Sequence, residues 1–218
     1  MWTYCLFITL LMGHYLPHNT IFPFYHLISD EKPVHIHHLY PIRSVAVFRK
    51  DLEYLLSRYQ PMDLQDVMTF IHHGKTRQKP GFFLTFDDGL QEIYEVVRPL
   101  LLEYGVPAGI FINPAFVDNQ DMFFRFKMSI LLERCNTLPG TQLRMIREIF
   151  NDNNTEKAMR KVKYNQRIIL DKAAEIMEIS FADYLIKNKP YMSWNQINTL
   201  QKDGFYIGAH SMDHPLYR

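Results

Sequence analysis

The stretch Gly81-Phe82-Phe83-Leu84-Thr85-Phe86-Asp87-Asp88-Gly89 passes from an apolar run to two carboxylates and a glycine. A continuous apolar run of this length is the pattern of a strand covered on both faces in a parallel sheet. Its abrupt end suits a strand-to-helix turn, with an aspartate to cap the helix and Gly89 to supply the bend. Beyond it Leu90, Ile93, Val97, Leu100, Leu101 and Tyr104 recur at helical spacing, and Gly105 and Pro107 close that helix. Ala108 to Asn113 follows as a second apolar strand. A strand, a helix and a strand in this order predict one parallel unit with a right-handed crossover, and hence an α/β chain.

On the N-terminal side, Ile21 to His26 reads as a short strand, followed by a polar loop, Ser29 to Arg43, that carries His35, His37 and His38. Ser44 opens a helix with Phe48, Leu52, Leu55, Leu56 and Tyr59 on one face, and Pro61 stops it. A second helix, with Leu64, Val67, Met68 and Ile71 on one side, is expected to end at Gly74. On the C-terminal side, Phe116 to Pro190 breaks the rhythm and reads as a helical insertion, with helices near Phe123 to Arg134, Leu143 to Ile149 and Ile168 to Ile176. Phe123, Phe124 and Phe126 are expected to anchor it, Met145, Met159 and Met177 to fill gaps, and Lys157 to Lys163 to form a solvated face. Ser193 and Gln196 have capping-box spacing, with Trp194, Ile197 and Leu200 facing inward. Gly204 closes that helix and Phe205 to Ala209 is the last strand, which runs into His210-Ser211-Met212-Asp213-His214-Pro215.

Of the 218 residues 47% are hydrophobic and 22% charged, which excludes a disordered, collagenous or coiled-coil chain. Lys and Arg total 24 against 23 Asp and Glu, a formal charge of +1, so the electrostatic footprint of a nucleic-acid binder is missing. Cys5 and Cys135 are too few and too far apart for a staple framework or a thiolate zinc cage. The apolar run Met1 to Met12 lacks the early positive charge of a secretory signal and the length of a membrane span. It is expected to form a buried or surface-lying helix in a cytoplasmic protein without a transmembrane segment.

Two predicted strands thus end in metal-competent groups, Asp87 and Asp88 on one and His210 and His214 on the other. Functional groups gather at the carboxyl ends of parallel strands. One carboxylate with two imidazoles makes a three-ligand set that leaves a position open on zinc or a similar divalent ion. Side chains of adjacent residues diverge at a strand end, so only one aspartate points at such an ion and the other is free to act as a base. Each motif has a plainer reading: Asp87-Asp88-Gly89 as a capped turn, and the histidine pair as a chance spacing among ten histidines. Their joint occurrence at the ends of apolar strands favours the site. The remaining histidines read as structural: His26 as a packed or hydrogen-bonded residue, His35, His37 and His38 and the pair His72-His73 as surface-loop residues rather than adventitious metal sites.

Thr85-Phe86-Asp87-Asp88-Gly89 resembles the first motif of the polysaccharide deacetylases of carbohydrate esterase family 4, and His210 to Pro215 resembles the second. Phe24-Tyr25-His26 and Met192-Ser193-Trp194 resemble stretches that accompany them. The resemblance implies Asp88, His210 and His214 as metal ligands, Asp87 as catalytic base, and Zn2+, or Co2+ or Ni2+, as the ion. It implies removal of N-acetyl groups from a cell-wall or surface polysaccharide or glycolipid. Ser211 and Asp213 are expected to hold the turn or an imidazole. The implied fold is a distorted (β/α) barrel, here a partial one in a single domain over residues 1–218 with the insertion at about 116–190. Four expected strands fall short of the roughly seven or eight of such a barrel, and the family's general acid comes from motifs beyond the second. The chain is therefore expected to be C-terminally truncated. His26 is the best-placed substitute for that acid, and a non-catalytic remnant or carbohydrate-binding module that keeps the metal trio is the alternative reading.

Overall fold

The computed structural model describes residues 20–73, 80–135 and 137–215. The N-terminal apolar run, Gly74 and the side chain of His73 lie outside what is described. The described residues divide into two compact units, one drawn from residues 20–29, Arg43–Ile112 and Met192–His210, the other from Asp30–Ile42, Asn113–Tyr191 and residues 211–215.

The described residues of the first unit form seven short strands: β1 (Thr20–Ile21), β2 (Phe24–Tyr25), β3 (Gln60–Pro61), β4 (Gly81–Phe82), β5 (Leu84–Phe86), β6 (Ala108–Ile112) and β7 (Tyr206–Ala209). All pairings are parallel, in two sheets of order β1-β4-β3 and β2-β5-β6-β7. The fold class is therefore α/β with parallel sheets, as expected. The strands expected at Ile21–His26 and Gly81–Phe86 are each interrupted once, at Phe22-Pro23 and at Phe83. One register nevertheless runs through both halves, from Thr20 opposite Gly81 to Tyr25 opposite Phe86. Pro23 has no N–H to donate, but its carbonyl still accepts from the Thr85 amide at 3.1 Å. The strand β3 was not expected, because Pro61 reads as a breaker. It lies on the sheet edge, and the ladder amides are those of Gln60 and Met62, which donate to Pro80 O and Phe82 O at 2.8 Å each. The proline sits between the two donors, where its missing N–H costs nothing.

Helix Val45–Arg58 starts at Ser44, whose hydroxyl accepts from the Val47 amide, and buries Phe48, Leu52 and Leu55. Of the face expected to turn inward on helix Leu64–His73, only Val67 is buried: it packs with Phe70, Met62 and Phe83, while Leu64, Met68 and Ile71 are exposed. The helix after the Asp87-Asp88-Gly89 turn opens with a wide π turn, Ile93–Val97, before the α-helix Arg98–Tyr104. Pro99 explains the widening, since it removes one helical amide and crowds the preceding turn. Gly105 closes the helix in the left-handed conformation, φ 64°. In helix Trp194–Lys202 the Ser193 and Gln196 capping box forms in both directions. Ile197 and Leu200 are buried, but Trp194, at the first helical position, is half-exposed rather than inward. Phe82, Leu84, Phe86, Leu90, Ile93 and Leu101 form the centre of the unit.

The second unit is helical among its described residues. Helices Phe124–Cys135, Gly140–Phe150 and Ile168–Ile176 occur where the apolar spacing predicts them; Val34–His37, Thr155–Arg160 and Phe181–Asn188 were not expected. Phe123, Phe124 and Phe126 are buried as anchors. Of the three methionines, Met159 and Met177 fill gaps and Met145 is exposed. The basic stretch Lys157 to Lys163 is not wholly solvated, since Met159 and Val162 in it are buried. Tyr191 fixes the end of the insertion: its hydroxyl accepts from the Phe123 amide at 3.0 Å, and its own backbone is bracketed by the Asn119 side chain. Among the described residues no helix is long and apolar enough to cross a membrane.

Candidate metal centre

The Asp87-Asp88-Gly89 turn is built by the sheet beneath it. β5 ends at Phe86, and the Asp87 amide extends its ladder by one bond, donating to Tyr25 O at 3.0 Å. Asp88 and Gly89 then take left-handed backbone angles in succession, φ 73° and 67°. Aspartate is one of the few side-chain-bearing residues that visit this region. Gly89 is favoured by its φ, and a Cβ there would also crowd Ile112, 3.1 Å from its Cγ2. The Gly89 carbonyl accepts from the Met192 amide at 3.0 Å, which ties the turn to the approach of helix Trp194–Lys202. The turn throws the Asp88 carboxylate inward, 6% exposed, while Asp87 stays partly open.

The β6–β7 register sets His210 beside the first motif. Ile112 pairs with Ala209, so His210 is the next residue out, and its amide donates to Ile112 O at 2.7 Å. His210 Nε2 lies 3.8 Å from Asp88 Oδ1. That is too long for a hydrogen bond and suits two ligands of one ion, each about 2.0–2.2 Å from it. Asp88 and His210 are thus brought together within one unit, at the carboxyl ends of parallel strands.

His214 follows four residues along the chain, in the second unit, within a turn whose Ser211 and His214 also have positive φ, 70° and 59°. Ser211 holds this turn: its hydroxyl accepts from the His214 amide at 3.2 Å, and its carbonyl accepts from the Asn113 side chain at 3.2 Å. Met212 O accepts from the Ala115 amide at 3.1 Å. The His214 ring packs against Phe123, with centroids 4.2 Å apart and planes tilted by 38°. Asp213 accepts from the Tyr164 hydroxyl, so it anchors the turn.

The other histidines fall elsewhere. His26 lies past the end of β2, partly buried, with its ring edge-on to Phe24. His35 is not a surface residue: it is 3% exposed, packs against Phe126, and shares a 2.9 Å hydrogen bond with the Tyr184 hydroxyl. Burial holds its pKa down to about 4. His72 is exposed. A brace beside the site went unread in the sequence. The Tyr25 hydroxyl donates to Asp51 at 3.2 Å, and the Arg43 guanidinium forks onto the same carboxylate, which raises the guanidinium pKa. The Tyr25 ring, next to the backbone that receives Asp87, is stacked on Phe86. An aspartate inside a helix pattern gives no signal of such a partner.

The solved structures similar to this chain include a de-N-acetylase from Aggregatibacter actinomycetemcomitans, at 15% identity and a TM-score of 0.50 over 88% of this chain and 54% of that one. This chain thus spans about half the length of that relative. Also similar are the Streptococcus pyogenes deacetylase PplD, at 15% identity and a TM-score of 0.42 over 69% and 82% of the two chains, and IcaB from Ammonifex degensii, at 13% and 0.41 over 76% and 83%. The first likeness supports the fold assignment. No curated protein sequence matches the chain. The sequence profile described as polysaccharide deacetylase matches residues 74–218, two thirds of the chain, including both motif turns. By that match this chain belongs to the polysaccharide deacetylase family.

Proposed function

We propose that this chain hydrolyses N-acetyl groups on a cell-wall or surface polysaccharide or glycolipid, with Asp88, His210 and His214 holding a divalent ion and Asp87 acting as base. The observation that carries the reading is the 3.8 Å approach of Asp88 and His210 at the sheet end. Family membership and the de-N-acetylase likeness support the reaction class. Carboxylate and imidazole donors suit Zn2+ first, and Co2+ or Ni2+ as well. Such an ion, when bound, lowers the pKa of its water to about 7 and polarises a carbonyl oxygen.

The protein's own residues divide the remaining work. The left-handed turn commits Asp88 to the buried side and leaves Asp87 the more open of the two carboxylates. Asp87 takes the proton of the attacking water as oxygen bonds to the acetyl carbon. The C–N bond then breaks as the departing nitrogen takes up a proton, balancing the one that Asp87 accepted and returning it to its carboxylate form, so that acetate and a sugar amine are released. The Tyr25–Asp51–Arg43 brace keeps the strand end that receives Asp87 in place.

The test begins with bound metal per chain after dialysis, wild type against His210→Ala/His214→Ala, followed by acetate release from N-acetylated oligosaccharides. Near-stoichiometric metal in the wild type, lost in the double variant, is expected. Asp87→Ala should retain the metal and lose activity about 10²–10⁴-fold. Unchanged acetate release by Asp87→Ala would remove its role as base. Metal bound with no acetate released from any acetylated glycan would favour a non-catalytic, glycan-binding protein.

A further inference from the structure

The second unit contains a cluster that the deacetylase reading does not use. His37 and His38 end the short helix Val34–His37, and Glu133 lies near the end of helix Phe124–Cys135. His37 Nε2 is 3.1 Å and His38 Nε2 2.9 Å from the same carboxylate oxygen, Glu133 Oε2. The two rings lie side by side, with centroids 3.9 Å apart and planes tilted by 39°. Two imidazole nitrogens and a carboxylate oxygen therefore converge on one point from segments 95 residues apart.

We propose that His37, His38 and Glu133 bind a divalent transition-metal ion, Zn2+ or Ni2+ class, at a second site independent of Asp88 and His210. Ligands about 2.0–2.1 Å from a tetrahedral ion stand roughly 3.3 Å from one another. The two nitrogen–oxygen separations are within a few tenths of an ångström of that value, so an ion needs only a slight opening of the cluster. Two neutral imidazoles and one carboxylate carry a single negative charge, and the nitrogen-rich donor set favours zinc, nickel or copper over magnesium or calcium.

The backbone that presents the histidines is already fixed. Val34 O accepts from the Ser129 hydroxyl at 2.6 Å, and His38 O accepts from the Arg160 guanidinium at 2.9 Å. Between them, His35 is wedged against Phe126 and Tyr184. Ligands held this way lose little freedom on binding, which is what separates a built site from mobile surface histidines. The cluster is reachable from solvent: Glu133 is half-exposed, and His38 lines a recess of about 500 Å³ with Leu132, Arg147 and Asn154. A bound ion would clamp residues 30–42 to the helix that carries Glu133.

The test uses the full chain stripped by chelator and titrated calorimetrically with ZnCl₂ and NiCl₂, in a background of Asp88→Asn/His210→Ala that disables the first site. One equivalent of Zn2+ should still bind and should raise the melting temperature. Adding Glu133→Gln or His37→Gln/His38→Gln should weaken binding at least tenfold and abolish that rise. With Cu2+ as probe, electron paramagnetic resonance should show two-nitrogen coupling that the double histidine variant loses. Circular dichroism of Glu133→Gln, a substitution of an exposed side chain, checks that the fold is kept. Zn2+ binding unchanged by both variants, or no binding at micromolar Zn2+ in the background chain, would overturn the proposal. Neither outcome touches the first site, which that background removes.

Discussion

At the scale of single residues, backbone angle decides what the motif carboxylates can do. Asp87 and Asp88 are chemically alike, but the left-handed backbone at Asp88 accompanies its burial, while Asp87 stays partly open. The divergence of adjacent side chains at a strand end was legible in the sequence; the left-handed φ at Asp88 was not. His35 went unread for a related reason, because its loop neighbours are polar and its partners Phe126 and Tyr184 come from far along the chain. Its burial makes a pH prediction. With a pKa of about 4 folded against the ordinary 6.5, the unfolded chain binds more protons between those values. The stability it contributes is whole above about pH 6.5 and is lost as pH falls toward 4, by at most on the order of 3 kcal/mol. Denaturant unfolding of wild type and His35→Gln at pH of about 7.5 and 4.5 checks this. The wild type should lose more stability on acidification than the variant; equal losses would mean that another group governs the acid limb.

At the scale of elements, the strands and the longest helices were legible because burial is two-sided in a parallel sheet and one-sided on a helix. Ile168–Ile176 matches its expected bounds, whereas Phe181–Asn188 was missed although Ser180 caps it by accepting from the Asp183 amide. On helix Leu64–His73 the sequence points to Val67 but not to Phe70, because more apolar residues share that helix than one face can hold, and only packing on Met62 and Phe83 selects the pair. β3 has no signal of its own in the sequence, because a proline in an edge strand is tolerated in only one of two registers. Capping gave the most reliable local signal. Ser193 accepts from the Gln196 amide at 3.3 Å, and Gln196 Oε1 accepts from the Ser193 amide at 2.8 Å. Ser193→Ala should therefore cost about 1 kcal/mol of stability. Because this helix is held to the Gly89 carbonyl through Met192, the variant should also weaken metal binding at the first site. Urea unfolding and metal titration read both effects; loss of stability with metal affinity intact would confine the box to the helix.

At the scale of the whole molecule, the sequence shows an insertion, but it does not show that residues 30–42 join it in one compact unit. That grouping depends on contacts such as Ser129 with Val34 and Arg160 with His38, which no local pattern announces. Net charge is legible without any structure, and it bears on how the proposed substrate arrives. With 24 basic and 23 acidic side chains the chain has a formal charge of +1. Its long-range field is weak, and beyond about 8 Å it is screened at physiological salt. Encounter with a neutral N-acetylated glycan then owes little to electrostatic steering. The kcat/KM for a neutral N-acetylated oligosaccharide should change by less than about twofold between roughly 50 and 500 mM NaCl. Partly deacetylated oligomers, which carry ammonium groups, provide the contrast. A salt-dependent rate confined to them would locate carboxylates along the glycan path, whereas a fall of tenfold or more for the neutral oligomer, which has no charge to steer, would show that salt acts on the enzyme itself and would overturn the prediction.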